Sequence, residues 1–137
     1  MKFIFNLLLF ILVISTSFAK NKVDDFDFFL SQFATDTVFQ LERTIFPLKI
    51  TTWKNVDEIG GEIETRFIMK NEWNHESFYY YLMDYRPQIF DNYSAKLRKS
   101  NRRLFQWIGV ETGVSVKYYF KRIKGNWFLI KMENLGD

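Results

Sequence analysis

The chain has 137 residues, no cysteine and one histidine, and 19 Lys and Arg against 16 Asp and Glu give a formal net charge of +3. A closed structural zinc site then lacks ligands, a nucleophilic triad has only His75 as its base and no Gly-x-Ser-x-Gly elbow, and no disulfide can staple the fold. Stability must come from the core, for which sixteen Phe, seven Tyr and four Trp are available, each ring able to bury roughly 150–250 Å².

Residues 1–19, MKFIFNLLLFILVISTSFA, have the layout of a secretory signal peptide. Lys2 is the positive start, Phe3 to Ile14 is apolar but for Asn6, and Ser17 and Ala19 are the small residues before a cut at Lys20. The apolar run is shorter than the roughly 20 residues of a spanning helix. The sequence therefore predicts export, to the periplasm or outside the cell, with membrane contact only through the uncleaved leader. Residues 20–137 have the size of one domain.

Phe26, Phe29, Leu30 and Phe33 recur at helical spacing, which predicts a helix over residues 23–33 with Asp24, Asp25 and Asp27 in its first turn. Thr37-Val38-Phe39-Gln40 fits a capping box and predicts a second, short helix with Val38, Leu41 and Ile45 on its apolar side, stopped by Phe46 before Pro47. Residues 48–51 then alternate as a strand. Gly60-Gly61 marks a turn into residues 62–69, where Ile63, Phe67 and Met69 form the apolar face. Residues 77–85 are aromatic enough for a strand, closed by Arg86-Pro87, and residues 92–103 are helix or exposed loop. Three runs, 104–110, 114–123 and 127–133, are separated by Glu111-Thr112-Gly113 and Lys124-Gly125-Asn126, an antiparallel meander. Helices followed by antiparallel strands, without βαβ alternation, give the α+β class.

The Phe-striped helix, the run DTVFQLERTIFPL and the final KYYFKRIKGNWFLIKMEN together resemble a family of exported bacterial proteins of unknown function with the nuclear-transport-factor-2-like, cone-shaped fold. Phe39-Gln40 with Phe46-Pro47-Leu48 is the most specific part of that likeness. The resemblance implies N-terminal helices packed on a curved, mostly antiparallel sheet with a pocket at the open end of the cone. It carries no established catalytic residues.

The polar and aromatic candidates follow from these elements. Asp36, Gln40 and Arg43, at i, i+4 and i+7, either rim the pocket or serve as cap and ion pair. Trp53, Trp73, Tyr80, Trp107 and Tyr118 are the rings that would line it, and Asp84 among the tyrosines is, with Asp36, the carboxylate an acid/base enzyme of ketosteroid-isomerase type would need. Asn74-His75-Glu76 offers two ligands at most and reads as a solvated turn. From Lys20 to Ala95 there are 8 Lys and Arg against 13 Asp and Glu, and from Lys96 to Asp137 10 against 3, an asymmetry that either steers an anionic partner to the second half or, the favoured reading, sets acidic and basic elements side by side in one sheet. The basic run Lys96, Arg98, Lys99, Arg102 and Arg103 reads as a solvated face, and export argues against nucleic acid. The expected function is a non-catalytic module binding a small apolar or anionic ligand or a protein partner, with no cofactor and no metal, in a chain open to forming a homodimer.

Overall fold

The computed structural model describes residues 23–54, 61–78, 85–90, 93–94 and 99–136. The leader, Gly60, Tyr80, Asp84 and most of the strand expected over 77–85 lie outside the described residues. So do Lys96 and Arg98. Two helices, α1 (Phe26–Thr35) and α2 (Thr37–Glu42), precede the strands β1 (Thr44–Trp53), β2 (Ile63–Ile68), β3 (Tyr85–Phe90), β4 (Arg102–Gly109), β5 (Ser115–Ile123) and β6 (Asn126–Asn134). The strands form one curved open sheet in the order β2-β1-β6-β5-β4-β3, antiparallel throughout except that β1 and β6 run parallel. The α+β expectation therefore holds, with both helices gathered on the N-terminal side of the sequence and packed on the sheet.

α1 forms where the Phe stripe predicts it, and the stripe is what it buries. Phe26, Phe29 and Phe33 are buried and Leu30 packs beside them. All three rings meet Phe120 of β5 edge-on, with centroids 5.5, 5.6 and 5.4 Å away, the geometry the ring quadrupole favours. The aspartates divide differently from expectation. Asp25 is the cap, its Oδ1 accepting from the Asp27 and Phe28 N–H at 3.1 Å, only Asp27 lies in the first turn, and Asp24 pairs with Arg43 at 2.9 Å.

The α2 reading needs correction. Its cap is Asp36, whose Oδ1 accepts from the Phe39 N–H at 2.9 Å, so the Thr37–Gln40 capping box does not form. The helix ends at Glu42, before Phe46, because strand pairing starts early: the Leu129 N–H donates to the Arg43 C=O at 2.8 Å, and the Thr44 hydroxyl donates to the Gln40 C=O at 2.7 Å. Val38 and Ile45 are exposed, and Phe39 and Gln40 face inward instead.

Two strands also differ from the sequence reading. On β2, Ile63 and Phe67 are exposed, and so is Met69 just after it. Register with β1 puts Arg66 opposite Ile50 and Ile68 opposite Leu48, on the helix-covered side. The polar face of this edge strand is thus the inner one, because beyond the helices the concave side opens into a cavity, not a core. β3 runs through Pro87, which sits opposite Trp107; an edge strand tolerates the missing N–H. Between β5 and β6, Lys124 (φ 49) and Gly125 (φ 88) make the tight turn expected there, both in the left-handed region a type I′ hairpin requires.

Candidate functional site

α1 covers the end of the sheet where Phe120 and Trp127 lie, leaving the other end of the concave face open. A cavity of about 450 Å³ occupies that end. Its floor is Ile50, Val116 and Met132, inner-face residues of β1, β5 and β6, and Asn134 and Arg66 bring polar groups to its sides. The segment after β2, a 3-10 turn over Lys70–Glu72 followed by Trp73 to Glu76, closes it from above.

Glu76 and Tyr118 are the chemical centre of this cavity. The fully buried Tyr118 donates its hydroxyl to Glu76 Oε2 at 3.1 Å. Burial raises the Glu76 carboxyl above its ordinary value, while the Tyr118 hydroxyl and the charge of His75 hold it partly back. Glu76 is fixed from behind by Gln40, which is 0% exposed. The Gln40 amide nitrogen donates to the Phe33 C=O at 2.9 Å and the Glu76 C=O at 3.0 Å, and its oxygen accepts from the Glu76 N–H at 2.7 Å. One side chain thereby ties α1, α2 and the covering segment together. Trp73 stacks edge-on against Phe46 at 5.9 Å, and its buried indole N–H has no acceptor among the described residues.

Of the residues expected to form the site, Trp73 and Tyr118 line the cavity and Gln40 stands directly behind it. Asp36 is an exposed helix cap. Arg43 is bound to Asp24 and sits over the rings of Phe39 and Phe128 at 5.0 and 5.5 Å, so the three polar residues of that helix do not share a face toward the pocket. Trp53 belongs to the convex side of β1, opposite Ile63. Trp107 packs edge-on to Phe105 and borders a shallow apolar groove with Leu30, Ala34 and Pro87. Glu76 is the residue that the sequence reading misplaced: read as part of a solvated turn with Asn74 and His75, it is half-buried and bound to Tyr118. Its neighbours are polar and its partner lies 42 positions away, so no local spacing marks it.

The family described as Domain of unknown function (DUF4348) matches residues 11–135. Among solved structures, a nuclear-transport-factor-2-like protein from Bacteroides fragilis superposes with a TM-score of 0.55 at 23% identity, over 81% of this chain and 46% of that one. A protein from Bacteroides uniformis superposes with a TM-score of 0.51 at 17% identity, over 81% of this chain and 76% of that one. The chain thus spans about half the length of the first. At such identities the likeness is one of fold. No curated protein matches the chain.

Proposed function

Because the chain belongs to the DUF4348 family and has the nuclear-transport-factor-2-like fold, we propose that it is a small-ligand-binding module whose site is the cavity at the open end of the sheet. The observation that carries this reading is the Glu76–Tyr118 pair. A carboxyl with raised proton affinity and a phenol, set above the apolar floor of Ile50, Val116 and Met132 and beside Arg66 and Asn134, suit a compact ligand with a small apolar body and several polar groups. The cavity volume supports a molecule of metabolite size. The leader pattern of residues 1–19 supports its acting outside the cytoplasmic membrane.

A thermal-shift screen of small carboxylic acids, phenols and cyclic ketones tests the reading. A true ligand at a hundredfold excess over its Kd stabilises the protein by about 2.7 kcal/mol, and Glu76→Gln or Tyr118→Phe is expected to abolish that shift. No shift across the panel, together with no small molecule in extracts of protein purified from the native host, would overturn it.

The same pair supports a second reading, proton transfer. With Asp36 capping a helix on the surface and Asp84 outside the described residues, Glu76 is the carboxylate among the described residues that supports an acid/base role, with Tyr118 as the donor beside it. Deuterium exchange at the α-carbon of a bound ketone, followed by NMR and lost in Glu76→Gln, would favour catalysis over binding alone.

A further inference from the structure

Among the described strands β2 and β3 are the edges of the sheet, and they are defended unequally. β3 carries Pro87, which offers no N–H to an incoming strand, whereas β2, Ile63-Glu64-Thr65-Arg66-Phe67-Ile68, contains neither proline nor lysine. The ladder to β1 determines which of its backbone groups are free. The Lys54 N–H donates to the Glu62 C=O at 2.9 Å, and in the register Thr52↔Glu64, Ile50↔Arg66, Leu48↔Ile68 the bonded positions alternate. The N–H and C=O of Ile63, Thr65 and Phe67 therefore point away from β1, and no other described strand pairs with them. On the convex face Ile63 and Phe67 are 57% and 62% exposed. On the concave face Glu64 and Arg66 have no ion-pair partner among the described residues.

We propose that this edge pairs antiparallel with the same edge of a second copy of the chain, about a twofold axis through Thr65. Thr65 then faces the partner's Thr65, Ile63 faces the partner's Phe67, and Glu64 faces the partner's Arg66. Such an axis lies normal to the sheet and keeps the faces in place, so both apolar pairs fall on the convex side and both charge pairs on the concave side. The positions that become hydrogen-bonded are the ones whose backbone groups are free. Moving the axis by one residue sets Arg66 against the partner's Arg66 or Glu64 against the partner's Glu64, and like charges directly opposite are destabilising. Inward-pointing charges ordinarily block an edge; here each meets its opposite, and the pair selects the register. The contact is isologous and closes at two copies, giving one continuous sheet.

Analytical ultracentrifugation of the purified protein across a wide concentration range tests this. The expected species at high concentration has twice the monomer mass. Glu64→Arg sets like charges opposite each other and is expected to weaken the dimer by about tenfold or more, the equivalent of about 1.4 kcal/mol; the double variant E64R/R66E restores it. Thr65→Pro removes an outward N–H without touching the β1 ladder and is expected to give a folded monomer. A protein that stays monomeric throughout, or a dimer indifferent to Glu64→Arg and Thr65→Pro, overturns the proposal. A dimer weakened by Glu64→Arg but not restored by the double variant overturns the register and with it the pairing. Should Thr65→Pro fail to fold, the two charge variants, at half-buried and exposed positions, decide alone.

Discussion

Gln40 shows how a residue's role follows from what surrounds it more than from its motif. T-x-x-Q matches a capping box, yet Asp36, one position earlier, takes the cap, and the freed Gln40 amide turns inward to satisfy three backbone groups of Phe33 and Glu76. No sequence signal distinguishes the two, because both put Gln40 at a helix start; only the contact to Glu76, 36 positions away, decides it. Gln40→Ala leaves those groups buried without partners and is expected to cost about 2–4 kcal/mol in urea denaturation. Glu76 has a pH signature of its own. Its folded-state carboxyl binds its proton more tightly than in the unfolded chain, whose ordinary value is 4.5, so its contribution is complete below that value and is lost as pH rises through the raised one. Glu133, where burial pushes the carboxyl up but hydrogen bonds from Lys131 and Tyr119 and the charges of Lys131 and Lys117 together bring it below its ordinary value, acts in the opposite sense. The difference between wild type and Glu76→Gln isolates the first: relative to the variant, the wild type is expected to lose melting temperature from pH 4.5 upward and then level off.

At the scale of elements, legibility tracks how far burial obeys periodicity. α1 is legible because one stripe meets one core, and the last hairpin because Lys124-Gly125 can adopt the turn its strands need. The two edges are not. β2 alternates as expected, but period alone does not say which face is inner, and over a cavity the inner face is the polar one. Pro87 signals a strand end in a central strand, yet on β3 it sits within an edge. The cavity was legible only as an implication of the fold; its Glu76–Tyr118 centre depends on a crossing between the covering segment and β5 that no local pattern encodes. α1 itself provides a sharp contrast between positions. Phe33 is 0% exposed and Phe28 73%, so Phe33→Ala is expected to cost about 3–5 kcal/mol while Phe28→Ala stays within about 0.5 kcal/mol, both read as changes in denaturation midpoint at constant slope.

For the whole molecule, the uneven charge of the two halves becomes an arrangement of neighbours. Asp24 reaches Arg43, and Arg103 and Arg122 lie over Trp127 at 5.1 and 5.0 Å, bordering the same hollow as Asp24, Asp25 and Asp27. The basic strands thus have the acidic start of α1 beside them, whereas the β2 edge carries its own opposite charges, Glu64 and Arg66, which with backbone pairing and apolar contact govern association there. Hydrogen exchange resolves that edge residue by residue. The amides of Glu64, Arg66 and Ile68 bond to β1 in either state and should be protected at every concentration. Those of Ile63, Thr65 and Phe67 face away from β1, so they should exchange quickly in dilute protein and slow as concentration rises. An alternating pattern of this kind is specific to strand addition at β2. Uniform slowing along the strand would instead indicate a contact through the convex face, and no concentration dependence would leave the edge unpaired.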